Sequence, residues 1–280
     1  MLKLEDLGFL QDAYLRFAKS FKKPYGAILV TGPTGSGKST TMYSTLNILN
    51  EVDKNIITVE DPVEYRLNGV NQIQVNPKAG LTFASALRSI LRADPDIVLI
   101  GEIRDKETAT IAIEAALTGH LVLSSLHTND APSAVTRLTE MDVETFLVAS
   151  AIDAVVAQRL ARKLCEKCKT VYEPEDAELL EAGYPEWLVP EITALHRPPV
   201  DLDQRRKCGA CAGTGYRGRI GLYEVMPMTE EIERLTVERA SAEAIKTVAV
   251  QQGMMTLRDD GLEKVRMGMT SIEEVARVVK

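Results

Sequence analysis

The run Gly32-Pro-Thr-Gly-Ser-Gly37-Lys38-Ser39 constrains this chain more than any other stretch. It matches Gly-x4-Gly-Lys-Ser/Thr and falls between an apolar strand predicted over 27–31 and a helix predicted over 39–49. In that setting the glycines let backbone N–H groups turn inward on an anion. Lys38 adds a point charge, and the Ser39 hydroxyl can ligate Mg²⁺. Thr34, Gly35, Ser36, Gly37, Lys38, Ser39 and Thr40 are therefore the candidate phosphate-binding residues.

The surrounding pattern alternates short β-branched runs with helical stretches, the plan of an α/β domain around a buried parallel sheet. Further strands are predicted over 55–59, 96–100 and 120–124, and helices over 82–91, 106–117, 131–141 and 144–164. Alternating residues around Asn68-Gly69 predict a hairpin between Val63 and Val75. Two acidic clusters follow strands: Glu60-Asp61-Pro-Val-Glu64, where Pro62 bars a helix, and Glu102 after 97–100. Open α/β sheets bind ligands at this carboxyl edge. Gly101 takes the position where a Walker-type aspartate is usual, which leaves Glu102 to hold Mg²⁺ beside Ser39.

These residues resemble the type IV pilus assembly and type II secretion ATPases of the PilB/GspE class. Four motifs stand in the family's order: the phosphate loop; Ile57-Thr-Val-Glu-Asp-Pro-Val-Glu-Tyr65; Ile97-Val-Leu-Ile-Gly-Glu-Ile-Arg-Asp105; and Thr118-Gly-His-Leu-Val-Leu-Ser-Ser-Leu-His127-Thr-Asn. The similarity implies a RecA-like P-loop NTPase core that hydrolyses ATP. It implies Glu64, with Glu60 as second choice, as the carboxylate that activates water, and Glu102 as the Mg²⁺ positioner. Arg88, Arg92 and Arg104 stand where the family keeps arginines that reach phosphates or a neighbouring subunit's site. His127 stands where the family senses the γ-phosphate.

The same resemblance implies a homo-hexameric motor at the inner face of the bacterial inner membrane, in the cytoplasm, passing motion to a membrane platform protein that builds a pilus. Pilus assembly fits the motifs better than type II secretion. Family members carry an N-terminal region ahead of this domain, so the chain is read as the C-terminal half of a longer protein that also needs that region. A nucleic-acid translocase is the rival of another class. Formal charge of 33 − 40 = −7, with five Phe and one Trp, offers no stacking channel, so no nucleic acid is expected.

Cys165-x2-Cys168 and Cys208-x2-Cys211 are two chelating knuckles, suited to Zn²⁺ in a reducing compartment. Lys163, Lys167, Lys169, Arg205, Arg206 and Lys207 flank them and offset thiolate charge. Neither pair has an open position or a His beside it, so the site reads as structural. From Thr229 onward apolar residues return at helical spacing, with Ser/Thr before acidic residues as caps, predicting three or four small helices that pack on the core. The expected division is a lead-in (1–25), the ATPase core (26–164), a small zinc-bound tetracysteine subdomain (165–221) and a C-terminal helical subdomain (222–280).

Overall fold

The computed structural model describes residues 3–279; the first two positions of the lead-in and Lys280 lie outside them. The chain forms two compact units. One covers residues up to Gln158 with Tyr223–Met254, and the other Arg159–Leu222 with residues from Met255 onward.

In the first unit, α1 (Gln11–Phe21) leads into β1 (Gly26–Thr31), the phosphate loop and α2 (Lys38–Leu49). There follow β2 (Ile56–Glu60), β3 (Asn71–Gln74), α3 (Phe83–Ile90), β4 (Ile97–Ile100), α4 (Lys106–Leu117), β5 (Leu121–Leu126), α5 (Ala131–Glu140) and α6 (Thr145–Ala151). With β6 (Ile152–Leu164) and a late strand, Tyr216–Pro227, they make a seven-stranded sheet. Its order is β3-β2-β4-β5-β1-β6 and then the late strand. β1, β2, β4 and β5 are buried along their whole length, as strands covered on both faces must be.

Register decides what this sheet can do. β1 pairs in parallel with β5 (Thr31 opposite Leu126), β5 with β4 (Ser124 opposite Ile100), and β4 with β2 (Ile100 opposite Val59). The carboxyl ends of all four strands therefore open on one edge, and each is followed by one of the four sequence motifs.

Two expectations are corrected. Residues 144–164 are not one helix: α6 ends at Ala151, and β6 pairs in parallel with β1. Ile152, Val155 and Val156 favour a strand. Because both faces of β6 are buried there, its apolar run shows no alternation and imitates helical spacing. The predicted hairpin between Val63 and Val75 is also absent, since β3 pairs with β2 in parallel. Gly69 does turn the chain at positive φ (77°), but the Gln72 side chain, not an antiparallel ladder, takes up the loop's backbone groups. It accepts from Leu67 N–H at 2.7 Å and donates to Tyr65 O at 3.2 Å.

In the second unit, β7 (Thr170–Tyr172) and β8 (Leu195–Arg197) form an antiparallel pair, flanked by α7 (Asp176–Ala182) and α8 (Leu202–Arg206). β9 is the late strand, Tyr216–Pro227. Four helices close the chain: α9 (Glu230–Val237), α10 (Ala242–Gln251), α11 (Leu257–Arg266) and α12 (Ile272–Val278). Each is capped by the expected hydroxyl, Thr229, Ser241, Thr256 or Ser271. α9 packs on α6 and α10 on α5 in the first unit, while α11 and α12 bring Leu262, Val265 and Val275 into the second unit's core.

One buried carboxylate of the second unit is fully paired, as its desolvation requires. Glu274, 1% exposed, accepts from Arg162 and Arg277. Burial pushes its carboxyl up, but the two guanidiniums outweigh this and hold it at about 2. Arg162 also lies over the Tyr216 ring, 4.2 Å from its centroid.

Candidate nucleotide site and cysteine cluster

Gly32 enters the phosphate loop with φ 148°, and a Cβ there would meet the Gln158 carbonyl oxygen at 2.5 Å. Only glycine fits so close an approach. Gly35 and Gly37 also adopt positive φ, and α2 begins at Lys38 with no side-chain cap. By contrast, α3, α4 and α5 are each capped by a hydroxyl or carboxylate. The positive end of α2 therefore faces the loop with its first N–H groups uncovered by any capping side chain, the arrangement that receives a phosphate. Lys38 Nζ donates to the carbonyls of Gly32 (2.8 Å) and Pro33 (3.1 Å). Thr31 ties this strand end to the fourth motif, accepting from Thr128 N–H at 2.9 Å and donating to Leu126 O at 3.1 Å.

Glu102 is the hinge of the neighbouring cluster. Its carboxylate, 14% exposed, takes a bond from Arg104 and lies 3.2 Å from His127 Nε2. Burial pushes this carboxyl up; Arg104 and His127 outweigh that and hold it below the usual carboxylate range, so it is ionised and able to hold a cation. The glycine before it has a steric reason. A Cβ on Gly101 would lie 3.3 Å from Glu60 Cα, so an aspartate there would press on the β2 backbone. Arg104 also approaches Asp61 at 4.0 Å, which joins the second and third motifs.

The two glutamates of the second motif differ in kind. Glu60 is 4% exposed and accepts from Tyr43 O–H, Thr58 O–H and Gln72 Nε2–H. Glu64 is exposed on the loop beyond, its N–H donating to the Tyr43 oxygen at 3.3 Å. Sequence reasoning named both acids but missed Tyr43, Thr58 and Gln72. The one signal was Tyr43, the single aromatic residue of α2.

Among the arginines, only Arg104 joins the cluster. Arg88 pairs with Glu107, both more than half exposed, and such a pair contributes only about 0–1 kcal/mol, so it yields easily to a stronger anion. Arg92 lies just past α3 and makes no ion pair among the described residues.

The four cysteine sulfurs lie within 4.8 Å of one another, all as free thiols. Cys165 and Cys208 are 3.8 Å apart, and Cys168 and Cys211 3.7 Å. A tetrahedral ion with metal–sulfur bonds of about 2.3 Å requires sulfurs about 3.8 Å apart. Disulfides would need about 2.05 Å. The Gly215 N–H points at Cys211 Sγ from 3.3 Å. Burial pushes that thiol up, but this N–H and the neighbouring sulfurs bring it down to about 6, while burial and the neighbouring sulfurs push the Cys168 thiol up. The residues present fit a structural tetrahedral metal.

A phosphate loop between a buried strand and an uncapped helix, with acidic clusters at the same sheet edge, defines a P-loop nucleotide-binding domain. Comparison with known proteins narrows this. Residues 1–277 match the family model described as Type II/IV secretion system protein, and the chain belongs to that family. It is 50% identical over 279 residues to the type IV pilus assembly ATPase PilB of Thermus thermophilus, covering 99% of this chain and 30% of that protein. It is 47% identical over 281 residues to the type II secretion system ATPase E of Vibrio cholerae, covering 100% of this chain and 53% of that protein. The chain thus spans about half or less of these relatives. Its fold matches a crystal structure of the pilus retraction motor PilT with bound ADP, with a TM-score of 0.71, 27% identity, and coverage of 99% of this chain and 66% of that one. Among the described residues no helix is long and apolar enough to cross a membrane.

Proposed function

We propose that this chain is the ATP-hydrolysing part of a hexameric motor that powers type IV pilus assembly through an inner-membrane platform protein. The observation that carries the reading is the convergence of four motifs on one sheet edge in a chain half identical to a pilus assembly ATPase. ATP binds with its phosphates on residues 34–40, Lys38 neutralising their charge and Ser39 ligating Mg²⁺. Glu102 steadies that ion, and His127, bonded to Glu102, reports on the γ-phosphate. Glu64 receives the proton of the attacking water. Arg88, Arg92 and Arg104 serve phosphates in their own site or a neighbour's, where one arginine can contribute about 10³–10⁵ in rate.

Zinc is the metal of the cysteine cluster, since four thiolates in a closed tetrahedron suit it and leave no position for catalysis. The division of labour follows: 26–164 carries the chemistry, 165–221 is a metal-held support, and 222–280 supplies packing helices. The motor works in the cytoplasm at the inner face of the membrane, with the N-terminal region of the longer polypeptide completing it.

Type II secretion is the second reading, supported by the 47% identity to a secretion ATPase. Complementation separates them. In strains deleted for the pilus or the secretion ATPase, the whole protein is expected to restore pili. Restored secretion without pili would reverse the order.

A further inference from the structure

β6 runs through Ala154, Val155, Val156 and Ala157 with no exposure, and its next residue is a glutamine that is 1% exposed. A buried side-chain amide is costly unless it is bonded. Gln158 meets that demand by donating Nε2–H to the Ser36 carbonyl oxygen of the phosphate loop, at 2.6 Å. A carbonyl oxygen only accepts, so the amide must present its nitrogen there. The expectation of a helix over 144–164 hid this residue, because only as a strand does β6 bring it to the loop.

Its placement follows from register. β6 stays parallel to β1 as far as Ala157 opposite Thr31, so Gln158 comes level with Gly32, where the loop begins. Side chains two apart on a strand share a face. Val156 belongs to one apolar cluster with Met42, Tyr43 and Leu46 of α2, so Gln158 lies on the face beneath the turn that leads into α2. The same residue bears on the loop at both ends. Its carbonyl oxygen leaves no room for a Cβ on Gly32, and its side chain holds Ser36.

Holding Ser36 sets a direction. In a planar trans peptide the C=O and the following N–H point opposite ways. With the Ser36 oxygen drawn onto β6, the Gly37 N–H points away from β6. Ser36 is 3% exposed whereas Gly37 is half-buried, so that N–H is turned toward the open side of the loop. Gly35 and Gly37, both at positive φ, bend the chain around the same side, and backbone N–H groups turned this way form an anion cradle.

We propose that Gln158 is a positioning residue of the phosphate loop, fixing the Ser36–Gly37 peptide so that the Gly37 N–H is aimed at a phosphate before nucleotide arrives. This rests on the reading of residues 34–40 as the phosphate site. A loop already set in its bound conformation binds more tightly, because less freedom is lost on association. The N–H meets the phosphates in the ground state and the transition state alike, so the contribution falls on KM rather than kcat.

The test measures, on the whole protein, Kd for Mg-ADP, KM and kcat for Mg-ATP, and the melting temperature. Gln158→Met keeps the length of the side chain and removes the donor; Gln158→Asn keeps the amide and withdraws it by one methylene. In both, Kd and KM are expected to rise about 3- to 10-fold, the net share of one hydrogen bond, with kcat within about twofold of the wild type. The asparagine variant keeps the test alive if Gln158→Met fails to fold. A residue that merely fills the core would lower the melting temperature and leave Kd alone. A Kd within about twofold of the wild type in either folded variant, or a fall in kcat at unchanged KM, would overturn the proposal. Lys38→Ala separates the two readings: if it too binds Mg-ADP as the wild type does, the phosphate site itself is misplaced, and if it alone loses affinity, the site stands and the role of Gln158 falls.

Discussion

Glu64→Gln should bind Mg-ATP as tightly as the wild type and lose about 10²–10⁴ of its turnover, the usual share of a positioned general base. The split follows from where the acids lie. Binding rests on the loop at 32–40, on the positive end of α2 and on Lys38. Proton transfer requires a carboxylate that water can reach, and of the two glutamates in this motif Glu64 is exposed and Glu60 is buried. Glu60→Gln should fail differently. It replaces an acceptor of three donors with an amide that also carries N–H, so one bond is lost or opposed, at about 1–3 kcal/mol of stability. Single-turnover phosphate release beside equilibrium binding of a nucleotide analogue separates the two behaviours.

Stripping the metal, or substituting Cys168→Ser, should unfold the second unit. The scale of the terms decides this. One apolar cluster of that unit gathers Leu179, Tyr184, Val189, Ile192, Leu195, Leu262, Val265 and Val275, with Leu164, Ile220, Leu222 and Leu257 also buried there. Whole domains have net stabilities of about 5–15 kcal/mol, and structural zinc supplies about 10–16 kcal/mol in small zinc-dependent folds. A core this small cannot offset a loss of that size. Elemental analysis should find about one zinc per chain, and hydrogen exchange after chelation should show lost protection over β7, α7, β8 and α8. Full protection in a metal-free chain would refute the structural role.

The local chemistry of the phosphate loop and the strand ends was legible because it is written in consecutive residues. Glycines at required positive φ, a proline after Asp61 and hydroxyl caps ahead of acidic turns each act over a few positions. The cysteine pairs were legible for the same reason, their spacing being the chelating unit. What was not legible depends on pairing across the sheet. Residues 152–164 became a strand because β1 had an open edge, which no local pattern records. Asn68-Gly69 makes its turn, but the following strand pairs in parallel with β2, and Gln72 on it bonds the buried Glu60. The contrast between Glu60 and Glu64 was hidden as well. Both are acids after a strand, and only the donors on α2, β2 and β3 make one a support and leave the other free to react.

ATP hydrolysis at this sheet edge, completed across subunits, is the central claim. The most direct test is Mg-dependent phosphate release per subunit across a series of whole-protein concentrations, with Lys38→Ala as the blank. The expected result is a rate well above the blank that rises steeply with concentration. A rate indistinguishable from the blank at every concentration would contradict the reading of this chain as an ATPase, and a flat, nonzero rate would contradict the ring.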